Sequence, residues 1–390
     1  MGSSGLDSPL ILQLGFFYAP NLAQSHDLER FEKEKSEKFF FWPQDWDRKL
    51  TFSGLGRGWK GWRNSNGLAS HAWVPATRWS PVNALLAWIG HAIDLWRFAK
   101  RGPVIAFMVM EGGLGAAVTK LISRRRIHLI LRVEGDPSSR SVRRNERFKL
   151  IGRQLIGRFV TPRADLVIAN SQFTKGLALS FGAKPGRVLI AMSRPRWDAR
   201  VQVTPLPPEP RVLFAGRLYP EKGVDVLLEA MARVRAEVPN CELLIAGEGP
   251  SREELERQCQ RLSIEKFIHF SGVLDEARLH DAYVASYVVV LPSLFAEGWS
   301  QALTEAALLG RPLVASDIGA LNEVVRHNVS GLLVRPGDPV ELAEAIIAIL
   351  KNQEMAVRMS RSARRIAVEW LNARQQDVER VQAALSSLTP

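Results

Sequence analysis

The feature that most constrains this chain is a repeated beat: a short apolar run, a loop, then an amphipathic stretch. Leu10–Leu14, Val104–Met110, Ile127–Leu131 and Leu166–Ala169 are runs of this kind, each followed by a glycine, a charged residue or an asparagine. Runs this short and this continuously apolar read as strands covered on both faces. Between them apolar residues return at helical spacing, as with Leu85, Leu86, Ile89, Ile93 and Trp96 in residues 82–99. Strands that alternate with helices predict an α/β chain with a doubly wound parallel sheet. The beat breaks at Thr204–Pro210, where four of seven residues are proline, and restarts at Arg211–Ala215. Further strands are expected at Leu243–Ala246, Phe267–Phe270, Tyr287–Leu291 and Leu313–Ala315, and helices at residues 340–350 and 353–385. Two α/β domains follow, over residues 1–203 and from 211 onward, joined by the linker 204–210.

The chemistry concentrates in two loops of the second half. After the run Tyr287–Leu291 come Pro292, Ser293, Gly298 and a helical pattern that ends at Gly310. A strand, a loop and a helix N-terminus make an anion site, because unpaired N–H groups and the helix dipole face one point. Glu297 is expected at its mouth, with Glu305 about 12 Å deeper at a rise of ~1.5 Å per residue. A carboxylate would repel a phosphate, so both glutamates are read as acceptors for sugar hydroxyls; the plain alternative is two solvated helix carboxylates. The strand Arg211–Ala215 runs into Gly216, Arg217 and Lys222. Gly216 admits a ligand to the backbone, while Arg217 and Lys222 set two cations beside a loop that opens a helix. Together they can neutralise a departing diphosphate without a metal. The two cysteines match no metal spacing, and Asp45-Trp46-Asp47, a carboxylate pair of metal-binding appearance, follows no clear strand.

The run Pro292–Ser300, followed by Leu303–Ser316, resembles the nucleotide-sugar signature of retaining GT-B glycosyltransferases. This large family, of the family 4-like type, includes sucrose synthases and the bacterial mannosyl- and glucosyltransferases of envelope polysaccharides. The run from Gly216 through Lys222 and Gly223 to Glu229-Ala230 resembles the same family's diphosphate-binding element, and Ala246–Pro250, Ile268–Val273 and Ser330–Asp338 match further segments in the family's order. The resemblance is close over residues 210–372 and architectural before that. It implies two facing Rossmann-like domains with the active site in the cleft, and a closing helix, residues 369–390, that carries Trp370 and crosses back toward the first domain, so that the second domain ends at 368. It also implies roles. Arg217 and Lys222 would hold the diphosphate, Glu297 would contact the donor sugar, and Glu305 the ribose hydroxyls. Gly298, Trp299 and Ser300 would offer backbone donors, with Gly216, Gly247, Val273 and Leu274 completing the donor site near the base.

The first half departs from the family's pattern. The loop Phe16–Gln24 lacks a glycine pair; Arg132, Glu134 and Asp136 stand where many members have a histidine; Met192–Trp197 replaces a Pro-Asn-Gly stretch. Arg132, Glu134 and Asp136 are therefore the acceptor-side candidates. The expected activity is metal-independent, retaining transfer of a hexose from a nucleotide-diphosphate sugar such as UDP- or GDP-hexose to a glycan or lipid-linked acceptor, in envelope polysaccharide or glycolipid synthesis and without a cofactor. The alternative is a catalytically silent module of the same fold that binds sugar nucleotides or polyanions.

Charge completes the reading. The net charge of +12 calls for an anionic partner. Residues 140–159 interleave arginines with Phe148, Ile151, Leu155 and Phe159 on one helical face, a composition suited to an anionic membrane surface or to an ordinary helix with a basic exterior. Eight of the eleven tryptophans lie between Trp42 and Trp96, which favours a surface with an apolar and a wet side. No recognition motif for nucleic acid accompanies the charge. No signal peptide or membrane span is evident, and Cys241 and Cys259 read as buried thiols of a reducing compartment. A cytoplasmic protein is expected, docked peripherally on the inner face of the cytoplasmic membrane.

Overall fold

The computed structural model describes residues 10–14, 50–54, 62–63, 69–72, 89, 92–93, 95–96, 104–109, 113–122, 127–135 and 147–388. Asp45–Asp47, Asp136 and residues 140–146 lie outside them. The chain divides into two units. The first holds Met1–Ser138, Arg144–Arg194 and Gln376–Pro390; the second holds Ser139–Arg143 and Pro195–Gln375.

The sheet of the first unit comprises β1 (Leu10–Leu14), β2 (Leu50–Gly54), β3 (Trp62–Arg63), β4 (Ala69–Ala72), β5 (Val104–Val109), β6 (Ile127–Val133), β7 (Leu166–Ala169) and β8 (Val188–Ile190). Its order is β3-β4-β2-β1-β5-β6-β7-β8, parallel except for the β3–β4 pair. The helices α1 (Leu114–Ile122), α2 (Arg147–Val160) and α3 (Gln172–Ser180) accompany it. Ser171 caps α3 in a reciprocal box with Thr174, which starts that helix directly after β7. The core beneath α1 and α2 gathers Ala116, Leu129, Leu131 and Val160, with Ile156 and Phe159 packed against it.

Two helical stripes that the sequence marks as apolar turn largely away from this core, Phe159 being the member that packs on it. Ile89, Ile93 and Trp96 are exposed while Leu95 is fully buried. On α2, Ile151 and Leu155 are exposed, and the buried side is Ile156, Gly157, Phe159 and Val160. Gly157 allows this, since a Cβ there would stand 3.2 Å from the Phe181 ring. The helix seats through its smallest residue, leaving the Ile151–Leu155 stripe outside.

In the second unit β9 (Arg211–Ala215), β10 (Glu242–Ala246), β11 (Ile268–Gly272), β12 (Val288–Leu291), β13 (Leu313–Ser316) and β14 (Gly331–Val334) form one parallel sheet, in the order β11-β10-β9-β12-β13-β14. Its helices are α4 (Val224–Glu237), α5 (Arg252–Leu262), α6 (Glu276–Val284), α7 (Gln301–Leu308), α8 (Leu321–Val324), α9 (Pro339–Lys351) and α10 (Gln353–Ser387). The chain starts in the middle of the sheet, builds outward to β11, then returns beside β9 and builds the other way. The reversal lies between β9 and β12. In sheets of this order the usual ligand position lies past the carboxyl ends of the strands at such a reversal.

The second unit takes in the proline-rich stretch 204–210 expected to be a linker, together with residues 195–203. Two arginines hold this segment against the carboxyl end of α7. Arg364 donates from Nη1 to Leu308 O (2.5 Å) and from Nη2 to Ala199 O and Val201 O, and the fully buried Arg311 reaches Thr204 and Pro205. Cations at the last carbonyls of a helix are also favoured by its dipole. The second unit extends along α10 past Trp370 to Gln375. From Gln376 the helix belongs to the first unit, where Val378, Val381 and Leu385 pack with Ile130, Leu166 and Ile168.

Candidate active site

The reversal between β9 and β12 brings together residues that are 75 apart in the chain. After β9, Gly216 continues the sheet's bonding through its N–H to Ala246 O (2.9 Å). Arg217 is exposed, its guanidinium 5.2 Å from the Tyr219 ring centroid. A 3₁₀ turn, Pro220–Lys222, ends at Gly223 with φ 66°, and a Cβ there would lie 2.0 Å from Pro292 O. Only glycine lets the β9 loop press onto the start of the β12 loop. A second contact, Leu294 N–H to Glu221 O at 2.9 Å, ties the same two loops.

This approach delivers Lys222 to Glu297. The ammonium is 2.5 Å from Glu297 Oε1, and the Ser293 hydroxyl lies 2.6 Å from the same oxygen. Both charged side chains are mostly buried, and Ser293 is fully so. The backbone of Glu297 is fixed as well, bridging to Gly319 and accepting from Ala320 N–H at 2.8 Å. Glu297 thus precedes the helix: α7 begins at Gln301, not near 298, because Ser300 caps it by accepting from Leu303 N–H (3.2 Å). Gly298 is buried, and Trp299 stacks edge-on against Trp370, centroids 5.5 Å apart.

Glu305 is the opposite of a solvated helix carboxylate. It is 1% exposed, and each oxygen has two donors. Oε1 accepts from Arg196 Nη1 (2.7 Å) and from the Arg196 N–H (3.3 Å); Oε2 accepts from Arg196 Nη1 (2.9 Å) and the Tyr283 hydroxyl (3.3 Å). Burial raises its carboxyl above the ordinary range, and Arg196 pulls it back. Burial, with the neighbouring carboxylate, pushes the Tyr283 hydroxyl well above its usual range too.

The remaining donor-side residues line the adjoining strand ends. Gly247 follows β10 with φ 149°, where a Cβ would stand 1.8 Å from Gly216 O, so the β9 and β10 loops close on each other through glycine. Beyond β11, Val273 is exposed and Leu274 packs on the core. In the first unit, Arg132 is buried at the end of β6 with Nε 2.9 Å from Glu134 Oε1 and Nη2 3.3 Å from Ser193 Oγ, while Glu134 is half exposed. Among the described residues no group of three His, Cys, Asp or Glu side chains could hold a metal.

Arg196, Tyr283 and Ser293 were not among the expected site residues. Ser293 was legible, standing in the same loop as Glu297. Arg196 lies in Met192–Trp197, the segment that departs from the family's pattern, but its partner is 109 residues away.

Residues 195–366 match the family described as glycosyl transferases group 1. The chain is 35% identical over 144 residues to an uncharacterized glycosyltransferase, MJ1607, of Methanocaldococcus jannaschii, covering 37% of this chain and 36% of that protein. The chain spans 36% to 56% of the length of the curated relatives it matches. Among solved structures, sucrose-phosphate synthase from Thermosynechococcus elongatus superposes with a TM-score of 0.75 at 19% identity, over 97% of this chain and 98% of that one. Anabaena HepE in complex with UDP-glucose gives a TM-score of 0.66 at 20% identity, over 96% and 99%. At these identities the structural likeness is one of fold. Residues 195–366 are accordingly a glycosyl transferases group 1 domain, in a chain with the GT-B fold.

Proposed function

We propose that this chain transfers a hexose, with retention, from a nucleoside-diphosphate sugar to a glycan or lipid-linked acceptor, without a metal. The observation that carries the proposal is that Lys222, held against Glu297, and the amino end of α7 stand at the switch point between β9 and β12, with Arg217 exposed in the same β9 loop. A cation held in place and a helix N-terminus stand where a diphosphate would sit, and preset charge stabilises a leaving group without reorganisation. HepE, which shares the fold, was solved with UDP-glucose, which supports a nucleotide-sugar donor here. In the reaction the bond from sugar C1 to the diphosphate oxygen breaks. The acceptor oxygen bonds to C1 on the same face, and its proton passes to the departing phosphate. Arg217 and Lys222 supply the counter-charge. Glu297 would touch the donor sugar and Glu305 the ribose, with Gly216, Gly247, Val273, Leu274 and residues 298–300 around the nucleotide. Arg132 and Glu134 are the described acceptor-side candidates.

The test is hydrolysis of a panel of UDP- and GDP-hexoses, with and without EDTA. Slow release of nucleoside diphosphate from one donor, unchanged by EDTA, is the expected result. Binding without turnover would mark a silent module, and a strict divalent-metal requirement would remove Arg217 and Lys222 as the counter-charge.

The acceptor side of the proposal is a lipid-linked substrate reached from an anionic bilayer, on the cytoplasmic face of the membrane. Among the described residues, seven of the twelve exposed large apolar side chains lie on neighbouring helical segments of the first unit: Ile89, Ile93 and Trp96; Leu121 and Ile122; Ile151 and Leu155. The segments adjoin, since α1 packs on α2 and Thr119 Oγ1 lies 3.4 Å from Ala92 O. Residues 89–160 carry fifteen Lys or Arg against five Asp or Glu, a net +10 of the chain's +12. Apolar stripes turned outward and flanked by cations match an anionic interface, at ~1 kcal/mol per cation near the surface. No helix of the described residues is long and apolar enough to cross a membrane, so the contact would be peripheral. Co-sedimentation with anionic liposomes should occur at 0.1 M salt and fade toward 1 M, as the Debye length shortens from ~10 to ~3 Å. Replacing Arg143, Arg144, Arg147 and Arg153 with Gln should release the protein and leave donor affinity alone. Equal sedimentation of wild type and variant would discard the docking surface.

A further inference from the structure

The carboxylate of Glu305 has about four acceptor positions: three take bonds from Arg196, and the fourth faces the Tyr283 hydroxyl, whose single proton is shared with Ala302 O. A ribose presents two hydroxyl donors, and the pair could not both bond Glu305 while this arrangement stands. The two partners differ in exposure. Tyr283 is fully buried and held by a second contact to Ala302 O (3.2 Å), whereas the Arg196 side chain is 48% exposed. Behind Arg196, Trp197 stacks edge-on against Tyr283 and His280, with centroids 5.7 and 5.5 Å away. The backbone is thereby anchored, so the guanidinium can leave toward solvent without moving the chain.

We infer that Arg196 is a latch on the nucleotide site: it occupies the carboxylate read as the ribose acceptor, and its guanidinium must swing off Glu305 before both hydroxyls of a nucleotide's ribose can bond there. The inference rests on the reading of Glu305 as the ribose acceptor. It makes nucleotide affinity depend on the fraction of molecules with the latch open, because a site competent only part of the time binds with its intrinsic affinity scaled by that fraction. It also makes the ribose hydroxyls the groups that open it. A nucleotide that lacks them gains nothing from a displaced Arg196.

Calorimetry with UDP or GDP, whichever binds more tightly, and with its 2′,3′-dideoxy counterpart tests this on wild type, Arg196→Gln and Glu305→Gln. Loss of the latch should tighten the ribonucleotide about three- to tenfold, the scale of a partly exposed ion pair, and leave the dideoxy compound unchanged. Glu305→Gln should weaken the ribonucleotide alone. Arg196→Met, which keeps the apolar stem, carries the same comparison if the glutamine variant does not fold. Ribonucleotide affinity that is equal or weaker in the Arg196 variants, with Glu305→Gln still erasing the preference for ribose, would overturn the latch and spare the role of Glu305. Equal wild-type affinity for both compounds, with no effect of Glu305→Gln, would instead remove Glu305 from the nucleotide site, and the latch with it.

Discussion

Replacing Arg311 with leucine is expected to lower the unfolding free energy of the second unit by about 4 kcal/mol, the scale seen when a buried hydrogen-bonded charge is deleted. Its guanidinium is fully buried among carbonyl and hydroxyl oxygens. Nε donates to Leu309 O (3.1 Å), Nη1 to Pro205 O, Val284 O and Ser286 O (3.3 Å each), and Nη2 to Thr204 O (2.6 Å) and Thr204 Oγ1 (2.8 Å). Burial depresses its pKa to about 10, so it remains charged at neutral pH and is stabilised there by oriented carbonyls. Leucine would leave those carbonyls without this donor and would fill only part of the space. It would also release Thr204 and Pro205, leaving Arg364 as the hold on Ala199 and Val201. Two readouts follow: a lower urea midpoint for the second unit, and faster proteolysis within 199–210. Lysine should not rescue, because a point donor cannot reach oxygens spread around a planar fork. A variant within 1 kcal/mol of wild type would mean that Arg364 alone holds the segment.

The largest effect on activity is expected from Lys222→Ala, a loss of about 10²-fold or more in turnover. Two changes compound. The substitution removes a cation from the proposed diphosphate site, and it strips Glu297 of its counter-ion. A carboxylate left unpaired beside a diphosphate within roughly 5–6 Å costs about 3 kcal/mol at an effective dielectric of about 20. Nucleoside-diphosphate affinity should therefore fall along with turnover. Lys222→Ala combined with Glu297→Gln should recover much of that affinity and none of the turnover. Unchanged turnover in the single variant would place the diphosphate elsewhere, and a double variant that binds no better than the single one would show that Glu297 does not face the nucleotide.

Local sequence determined the elements of the second unit because its signals are local. Each β-strand is a short apolar run, each loop contains its own glycines, and Ser300 and Asp338 announce the helices they cap. The same proximity made the lysine, arginine and glutamate positions of the two site loops visible, since their chemistry is written in side-chain type and order. Partnership is not local, and there the sequence was silent. Nothing between residues 196 and 305 signals that Arg196 bonds Glu305, or that Lys222 meets Glu297. The Lys222–Glu297 pair exists because β9 and β12 are adjacent in the sheet and because Gly223 lets their loops touch. Periodicity likewise identified apolar stripes at Ile89–Trp96 and on α2, but a stripe carries no record of which side meets the core. Gly157 against Phe181 settled that for α2, turning Ile151 and Leu155 outward. Four prolines in seven residues read as an interdomain linker, and nothing in them announces that Arg311, about a hundred residues on, bonds the carbonyls of Thr204 and Pro205. Composition and spacing determine what a segment can become; which groups are desolvated together is decided only when distant segments pack.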